Sequence, residues 1–141
     1  MSKAFLKKEP FTVKGSCICG QVTYSSHLSG PILPIIYCHC KDCQESHAAA
    51  FANVFIAKET ATEWQGYNTM SSYNRRGTNN RLFCSTCHTP MASHLNKGTP
   101  KASFGLFQSS IRECSVPQKG VMHIFTAEAT VPIPEDGLKR R

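Results

Sequence analysis

The chain has 141 residues, of which 40% are hydrophobic and 18% are charged. This length is enough for one domain with a sizeable core, and the composition excludes a disordered acidic chain and a coiled coil. The formal net charge of +7 comes from 16 basic and 9 acidic residues. The basic residues are scattered and no stripe of them is interleaved with aromatic residues, so we expect no nucleic-acid partner.

No apolar run approaches the roughly 20 residues that a membrane span requires. The sequence MSKAFLKKEP at residues 1–10 also lacks the apolar stretch of a secretory signal. We therefore expect a cytoplasmic protein without a membrane partner, in a compartment that keeps thiols reduced. Nothing in the pattern indicates an oligomeric state.

The N-terminal part of the chain is predicted to contain a tail followed by short strands. Residues 1–10 form a flexible charged tail in this prediction. Residues 11–26 are typical of a strand, a turn and a strand, with the sequences FTVKG, SCICG and QVTYSS. Gly15 and Gly20 flank the cysteine pair in this turn and permit sharp backbone bends. The sequence ILPIIYC at residues 32–38 predicts a short apolar strand.

The rest of the chain predicts one helix and several more strands. The helix is expected over residues 41–51, with Asp42 as its candidate N-cap. Two prolines near the C-terminus exclude a helix there, and the last residues are predicted to be extended and then frayed. The fold class is therefore mostly β with one short helix. Further strands are predicted at FANVFIA, ATEWQGYN, MSSYNRRGTNNRLFC, MASHL, KASFGLF and VMHIFTAEA.

The eight cysteines are the most informative residues of the sequence. Intervals of two and three residues are poor geometry for disulfides between distant elements, but they present several sulfurs to one Zn²⁺ ion at about 2.3 Å. Sulfur ligands also favour zinc over Mg²⁺ or Ca²⁺. Seven cysteines are clustered in this way, as C-x-C, C-x-C-x-x-C and C-x-x-C: Cys17, Cys19, Cys38, Cys40, Cys43, Cys84 and Cys87.

These seven cysteines divide naturally into a set of four and a set of three, so we predict two Zn²⁺ ions per chain. A closed site with four sulfurs is typical of structural zinc, whereas three protein ligands and an open position are typical of catalytic zinc. The four-cysteine cluster is Cys17, Cys19, Cys84 and Cys87. The three-cysteine cluster is Cys38, Cys40 and Cys43.

Two alternatives to this division stay open. The triplet could supply two ligands to Cys84 and Cys87, which would leave the first pair of cysteines without partners. All seven sulfurs could instead be structural, with a fourth ligand completing the second site. The candidates for that fourth ligand are His39, His47, Asp42 and Cys114.

The motifs GSCICGQVTY, YCHCKDCQESHAAAF, FCSTCHTPM and HIF, in this order, resemble the glutathione-dependent formaldehyde-activating enzyme family, which also contains centromere protein V. The resemblance covers residues 11–137, which we expect to form a single zinc domain followed by a C-terminal tail at 138–141. It implies a β-tent fold, in which several coiled short antiparallel sheets surround zinc. His88 departs from the family pattern, because a glycine is usual at that position.

The resemblance also implies a function. The four-cysteine cluster would hold a structural zinc, and Cys38, Cys40 and Cys43 would hold a catalytic zinc. The implied activity is that of a carbon–sulfur lyase acting on glutathione or related thiol adducts, with a small thiol such as glutathione as partner. Because three thiolates make zinc a poor Lewis acid, we expect a substrate thiol rather than hydroxide at the open position. The alternative is a non-enzymatic zinc-binding module for protein interaction.

Other side chains have less specific expectations. His39 is predicted to support the site or to pack beside it rather than to act as a base, and His123 to be a satisfied strand histidine. Cys114 is expected to be a small core residue. Lys41, which follows Cys40 directly, is the preferred cation for a glutathione carboxylate. The other cations considered are Arg75, Arg76, Arg81, Lys97 and Lys101.

Overall fold

The structure is a computed structural model that describes residues 9–75 and 79–141. Strands make up 49% of the described residues, which contain a single α-helix, so the prediction of a mostly β fold is confirmed. The elements are β1 (Pro10–Ser16), β2 (Thr23–Ser29), β3 (Leu33–Cys38), α1 (Lys41–His47), β4 (Ala52–Lys58), β5 (Thr62–Gln65), β6 (Met70–Tyr73), β7 (Asn80–Cys84), β8 (Pro90–Leu95), β9 (Ser103–Phe107), β10 (Ile111–Cys114), β11 (Gln118–Ile124) and β12 (Lys139–Arg140).

The strands form two sheets. The small sheet has the order β10-β1-β2-β5, and the large sheet has the order β12-β11-β3-β4-β9-β8-β7-β6. Two pairings in the large sheet, β3 with β11 and β11 with β12, are parallel. The family resemblance implied antiparallel sheets, and these two pairings depart from that expectation, whereas the other strand pairs are antiparallel. The parallel pairings join segments far apart in the chain, which local patterns do not encode.

The main core lies between the two sheets. Val13 and Tyr24 from the small sheet pack with Leu33, Phe55 and Leu106 from the large sheet, and all five are buried. Successive strand residues point to opposite faces, so the neighbours of these large-sheet residues lie on its outer face. A second, smaller apolar cluster covers that outer face, and it contains cysteines of the three-cysteine cluster.

Helix α1 is shorter than predicted and begins with a different cap. The N-cap is Cys40 rather than Asp42, because the Cys40 Sγ accepts a hydrogen bond from the backbone N–H of Cys43 at 3.3 Å. The helix ends at His47, and its C-cap residue Ala48 takes a left-handed conformation with a φ of 48°. The N-cap sulfur and the first-turn sulfur are thereby brought to the same end of the helix.

The C-terminal residues are not frayed as the sequence predicted. The short strand β12 pairs with β11 in parallel, and the backbone N–H of Arg141 donates to the carbonyl of His123 at 2.8 Å. The Arg140 guanidinium donates to the carbonyl of Pro134 at 2.7 Å. At the other end, the predicted tail at residues 1–10 lies mostly outside the described residues, and Pro10 already belongs to β1. No helix in the described ranges has the length and apolarity needed to cross a membrane.

Candidate metal centres

The four-cysteine cluster lies where the two sheets meet. Cys17 and Cys19 belong to the turn between β1 and β2, whereas Cys84 ends β7 and Cys87 lies in the turn before β8. All four sulfurs lie within 4.8 Å of one another. The Sγ atoms of Cys17 and Cys19 are 3.6 Å apart, and those of Cys19 and Cys84 are 3.7 Å apart.

These distances fit a zinc ion. Tetrahedral coordination with bonds of about 2.3 Å places neighbouring sulfurs about 3.8 Å apart. The backbone N–H of Val22 also donates to the Cys17 Sγ at 3.3 Å, which favours a thiolate at that position. The donor set of the four-cysteine cluster is therefore complete and suited to zinc.

Thr89 adds a further hydrogen bond to this cluster. Its hydroxyl oxygen accepts from the backbone N–H of Ile18 at 3.1 Å and lies 3.0 Å from the Cys87 Sγ. With the oxygen already accepting, the hydroxyl can donate its own hydrogen to the sulfur. This hydrogen bond is the main reason why the pKa of the Cys87 thiol is lowered to about 5. Thr89 thus favours the deprotonated form that binds a metal.

The three-cysteine cluster lies on the outer face of the large sheet, beside α1. Cys38 ends β3, Cys40 caps α1, and Cys43 lies in its first turn, so one bend of the chain supplies all three sulfurs. These sulfurs also lie within 4.8 Å of one another. Hydrogen bonds from the Cys38 and Cys43 thiols lower the pKa of Cys40 to about 2, whereas the pKa of Cys38 is raised. Cys40 therefore holds the first negative charge of the cluster.

Arg81 of β7 is the cation that contacts this cluster. Its Nη2 atom lies 3.5 Å from the Cys43 Sγ and 3.9 Å from the Cys40 Sγ. Burial works against the charged form of Arg81. The hydrogen bond to Cys43 and the charges of the cluster nevertheless hold the pKa of Arg81 above its usual value. Its Nη1 atom is buried and has no hydrogen-bond partner among the described residues.

The sequence named Arg81 as one of six candidate cations but preferred Lys41. The structure does not support that preference, because the Lys41 ammonium lies 3.8 Å from the carboxylate of Glu45 and does not line the cavity beside the cluster. Which cation would bind a glutathione carboxylate stays a prediction. Arg75 does line it, but its guanidinium is paired with Glu45 and with Asp42. Of the remaining candidates, Lys97 and Lys101 do not line the cavity, and Arg76 lies outside the described residues.

A cavity of about 310 Å³ opens beside the three-cysteine cluster. Its floor is the outer face of the large sheet, and α1 and the segment after β11 form parts of its walls. The cavity has two kinds of lining. Polar side chains beside the cysteines are Asp42, Arg75, Asn79, Arg81, Ser93 and Glu128. Apolar side chains along the floor are Ile36, Val54, Ile56, Leu95, Phe107 and Ile124.

A chain of hydrogen bonds that runs from the buried His39 to the surface supports the bend that carries the cysteines. The His39 Nε2 atom lies 2.8 Å from the Nδ1 atom of His123, whose Nε2 atom lies 2.8 Å from a carboxylate oxygen of Asp136. Burial and the nearby His123 lower the pKa of His39, so its ring is neutral and suited to a supporting role. The sequence predicted support or packing for His39 and a satisfied strand histidine at His123, and His123 lies in β11 with partners for both ring nitrogens. The sequence did not indicate Asp136, which comes from a loop with no recognisable pattern.

The structure does not support the alternative ligand sets. No fourth His, Cys, Asp or Glu ligand atom joins the three-cysteine cluster within residues 9–75 and 79–141. His47 packs edge-on against the ring of Phe107, with the ring centroids 4.3 Å apart. Cys114 lies in β10 of the small sheet. Sharing of the triplet with Cys84 and Cys87 is also excluded, because those two sulfurs group with the first cysteine pair.

Together, the two-sheet fold and its two cysteine clusters define a mostly β protein with two sites that could hold metal ions. The family model of the glutathione-dependent formaldehyde-activating enzymes matches residues 12–128. The chain therefore belongs to this family. None of the curated proteins matches it.

A solved structure shows the same fold. It is a crystal structure of a Rhodobacter sphaeroides protein determined as a structural-genomics target. The two chains align with a TM-score of 0.58 at 20% sequence identity, over 75% of this chain and 99% of the other. At this identity the likeness concerns the fold alone.

Proposed function

We propose that the protein is a zinc-dependent carbon–sulfur lyase that acts on adducts of glutathione or a related thiol, of the S-hydroxymethylglutathione type. The observation that carries this proposal is the difference between the two cysteine clusters. One has four sulfurs and joins two sheets, as a structural site does. The other has three sulfurs, an adjacent cavity and a cation on two of its sulfurs. Three protein ligands beside a cavity are typical of a catalytic zinc site.

The three-cysteine cluster and Arg81 are the proposed reactive end of the cavity. Zinc held by Cys38, Cys40 and Cys43 would supply positive charge and a free coordination position for the sulfur of the substrate. Three thiolates and a divalent cation carry a net charge of −1, which the Arg81 guanidinium balances. The Nη1 atom of Arg81, which has no hydrogen-bond partner among the described residues, can donate to the substrate oxygen, where negative charge develops as the carbon–sulfur bond forms or breaks.

The proposed reaction needs no oxidant or reductant. In the cleavage direction the hydroxyl group of the adduct loses its proton, the carbon–oxygen double bond forms, and the carbon–sulfur bond breaks. The sulfur leaves with the bonding electrons and then takes up a proton, which gives a free thiol and an aldehyde. In the reverse direction the cavity holds the thiol and the aldehyde together, and this proximity contributes much of the acceleration. Such chemistry requires reduced thiols, so we place the protein in the cytoplasm.

Metal analysis tests the ligand sets. We expect two zinc ions per chain in protein purified without chelators or affinity-tag metals, and one in Cys40→Ser. The matched control is Cys114→Ser, which removes a cysteine outside both clusters and should leave both ions in place. One ion in the wild type that survives Cys40→Ser would contradict a metal at the three-cysteine cluster.

The activity itself is tested by formaldehyde release from S-hydroxymethylglutathione. The rate should exceed the uncatalysed rate in proportion to the protein concentration and should be lost in Cys40→Ser but not in Cys114→Ser. As an independent measurement, glutathione added to the cobalt-substituted protein should change the d–d absorption bands. Two bound zinc ions without any response to glutathione would favour the non-enzymatic binding module.

A further inference from the structure

Beyond its cysteine end, the cavity has an apolar floor that the proposed reaction does not use. Ile36 of β3 pairs with Val54 of β4, and Val54 pairs with Phe107 of β9. Residues paired across neighbouring strands lie on the same face of a sheet, so these three side chains form a continuous row. Ile56 and Leu95 extend the apolar surface away from the cysteines.

Gly105 lines the same cavity, and its lack of a side chain leaves space between the apolar residues of the floor. It pairs with Ile56 on one side and with Ser93 on the other. A Cβ atom at this position would lie 3.2 Å from the Val54 Cγ1 atom and 3.8 Å from the Ile56 Cδ1 atom. Any side chain here would therefore fill part of the trough between the apolar residues.

Phe125 adds an exposed apolar rim. Its backbone has a φ of 54°, in the left-handed region that a bulky side chain rarely adopts, and its side chain is 55% exposed. Ile56 is 45% exposed and lies at the same cavity. An aromatic ring held at the mouth of a cavity by a strained backbone is more typical of ligand binding than of packing.

A one-carbon aldehyde group would cover little of this apolar surface. Such a group is close to a water molecule in size, whose share of liquid volume is about 30 Å³. The floor and rim beyond the cysteines are lined by five apolar side chains: Ile36, Val54, Ile56, Leu95 and Phe125. With the thiol held at the polar end, a formaldehyde adduct would leave the apolar floor and rim in contact with water.

We infer that the preferred substrates are thiol adducts of aldehydes with an apolar chain or ring of several carbons, and that this substituent lies on the floor formed by Ile36, Val54, Ile56 and Leu95. This inference rests on the proposed function, because it assumes that the sulfur of the adduct lies at the three-cysteine cluster. The thiol part extends towards Arg81 and Asn79, and the substituent on the carbinol carbon extends along the sheet. The bonds that change are those described above.

Stable thioethers of glutathione test the inference without any turnover. S-methyl-, S-butyl- and S-hexylglutathione carry their alkyl group where the adduct carries its aldehyde carbon. We expect calorimetric titration of the zinc-loaded protein to show an affinity that rises about fourfold for each methylene that the cavity buries. Glutathione itself, measured in the same series, reports on recognition of the thiol part.

Two variants locate the apolar contact. Ile56→Thr and Phe125→Asn change exposed side chains, and asparagine tolerates the left-handed backbone at position 125, so both should fold. S-butylglutathione is expected to bind more tightly than S-methylglutathione. Each variant should reduce this increase in affinity by about fourfold, which is the effect of one buried methylene. The matched control is Val131→Thr, because Val131 is 46% exposed but does not line the cavity. Val131→Thr should leave the increase in affinity from S-methyl- to S-butylglutathione unchanged.

The outcomes separate the two proposals. Affinity that rises with chain length and is reduced by the two floor and rim variants supports the inference. Equal affinity for glutathione and all three thioethers overturns the inference and leaves the proposed function standing. The same follows if Val131→Thr reduces the increase in affinity as much as Ile56→Thr and Phe125→Asn do. Binding of none of the four compounds overturns the proposed function and the inference with it.

Discussion

Arg81 shows how one side chain outside the cysteine motifs affects the candidate metal site. Zinc binding requires the thiols of Cys38 and Cys43 to lose their protons. Because the guanidinium lies 3.5 Å from the Cys43 Sγ, its charge and its hydrogen bond favour the thiolate form of that ligand. The planar fork of arginine also allows it to reach a second sulfur, which the compact ammonium of lysine does less well.

We therefore predict that Arg81→Met weakens zinc binding at the three-cysteine cluster by about 10–100-fold, the usual effect of losing a hydrogen bond to a ligand. Competition with a chromophoric chelator measures this, and the four-cysteine cluster should be unaffected. Arg112→Met, which removes an exposed arginine of the small sheet, is the control. An unchanged affinity in Arg81→Met would show that Arg81 does not support the ligands.

His88 illustrates a departure from the family pattern that the structure explains. Its backbone has a φ of 62°, and its N–H donates to the carbonyl of Cys84 at 2.9 Å, inside the second cysteine turn. The left-handed conformation costs a non-glycine residue about 1–2 kcal/mol. The glycine that is usual in the family at this position avoids that cost.

His88→Gly should relieve this strain and stabilise the protein by about 0.5–1 kcal/mol. The expected gain is smaller than the strain, because glycine has more conformational entropy in the unfolded chain and this opposes folding. Urea unfolding of the zinc-loaded protein measures the change. Ser85→Gly, at a position in the same turn without a positive φ, should have the opposite sign. Destabilisation by both substitutions would mean that the His88 side chain makes a contribution larger than the backbone strain.

At the scale of elements, the C-terminal strand is connected to the site through β11. Strand β12 pairs with β11 at Met122 and His123, and Arg141 donates to the His123 carbonyl. His123 in turn contacts His39, which lies between two cysteines of the three-cysteine cluster. The end of the chain thus supports the strand that positions this bend.

A chain that ends at Leu138 should lose about 1–2 kcal/mol of unfolding free energy, because it loses a few partly exposed hydrogen bonds worth about 1 kcal/mol each. Urea unfolding measures this value. Amide exchange should quicken at His123 and Ile124 while remaining slow in β1 and β2, which are remote from the deletion. Unchanged exchange along β11 would show that β12 contributes nothing to the stability of that strand.

Local elements were predictable from the sequence, whereas the pairing of distant strands was not. The cysteine turns and most strands were predictable because each depends on neighbours within a few residues. The parallel pairing of β3 with β11 was not, since it joins Ile36 to Met122 across most of the chain. Arg81 could not be assigned to the sulfurs for the same reason, because its position depends on the register of β7 with β8. Asp42 was preferred as the cap because a sulfur cap is unusual.

For the whole molecule, the two cysteine clusters have different structural consequences. The four-cysteine cluster joins the β1–β2 turn of the small sheet to the β7–β8 turn of the large sheet. Cys19 and Cys84 are 65 residues apart in the chain. Closing a loop of this length restricts the unfolded chain by up to about 4 kcal/mol. The three-cysteine cluster lies within a single bend and closes no comparable loop.

Loss of the first site should therefore unfold the protein more readily than loss of the second. We predict that Cys19→Ser lowers the unfolding free energy of the zinc-loaded protein by about 3–5 kcal/mol, up to the full value of the closed loop plus the lost ligand bond. The loss in Cys40→Ser should be smaller, because serine is itself a favourable N-cap for α1 and the metal lost from the three-cysteine cluster closes no long loop. Neither side chain is buried, so cavity formation does not confound the comparison. Urea unfolding with and without added zinc measures both values, and a larger loss in Cys40→Ser would place the structural metal at the three-cysteine cluster instead.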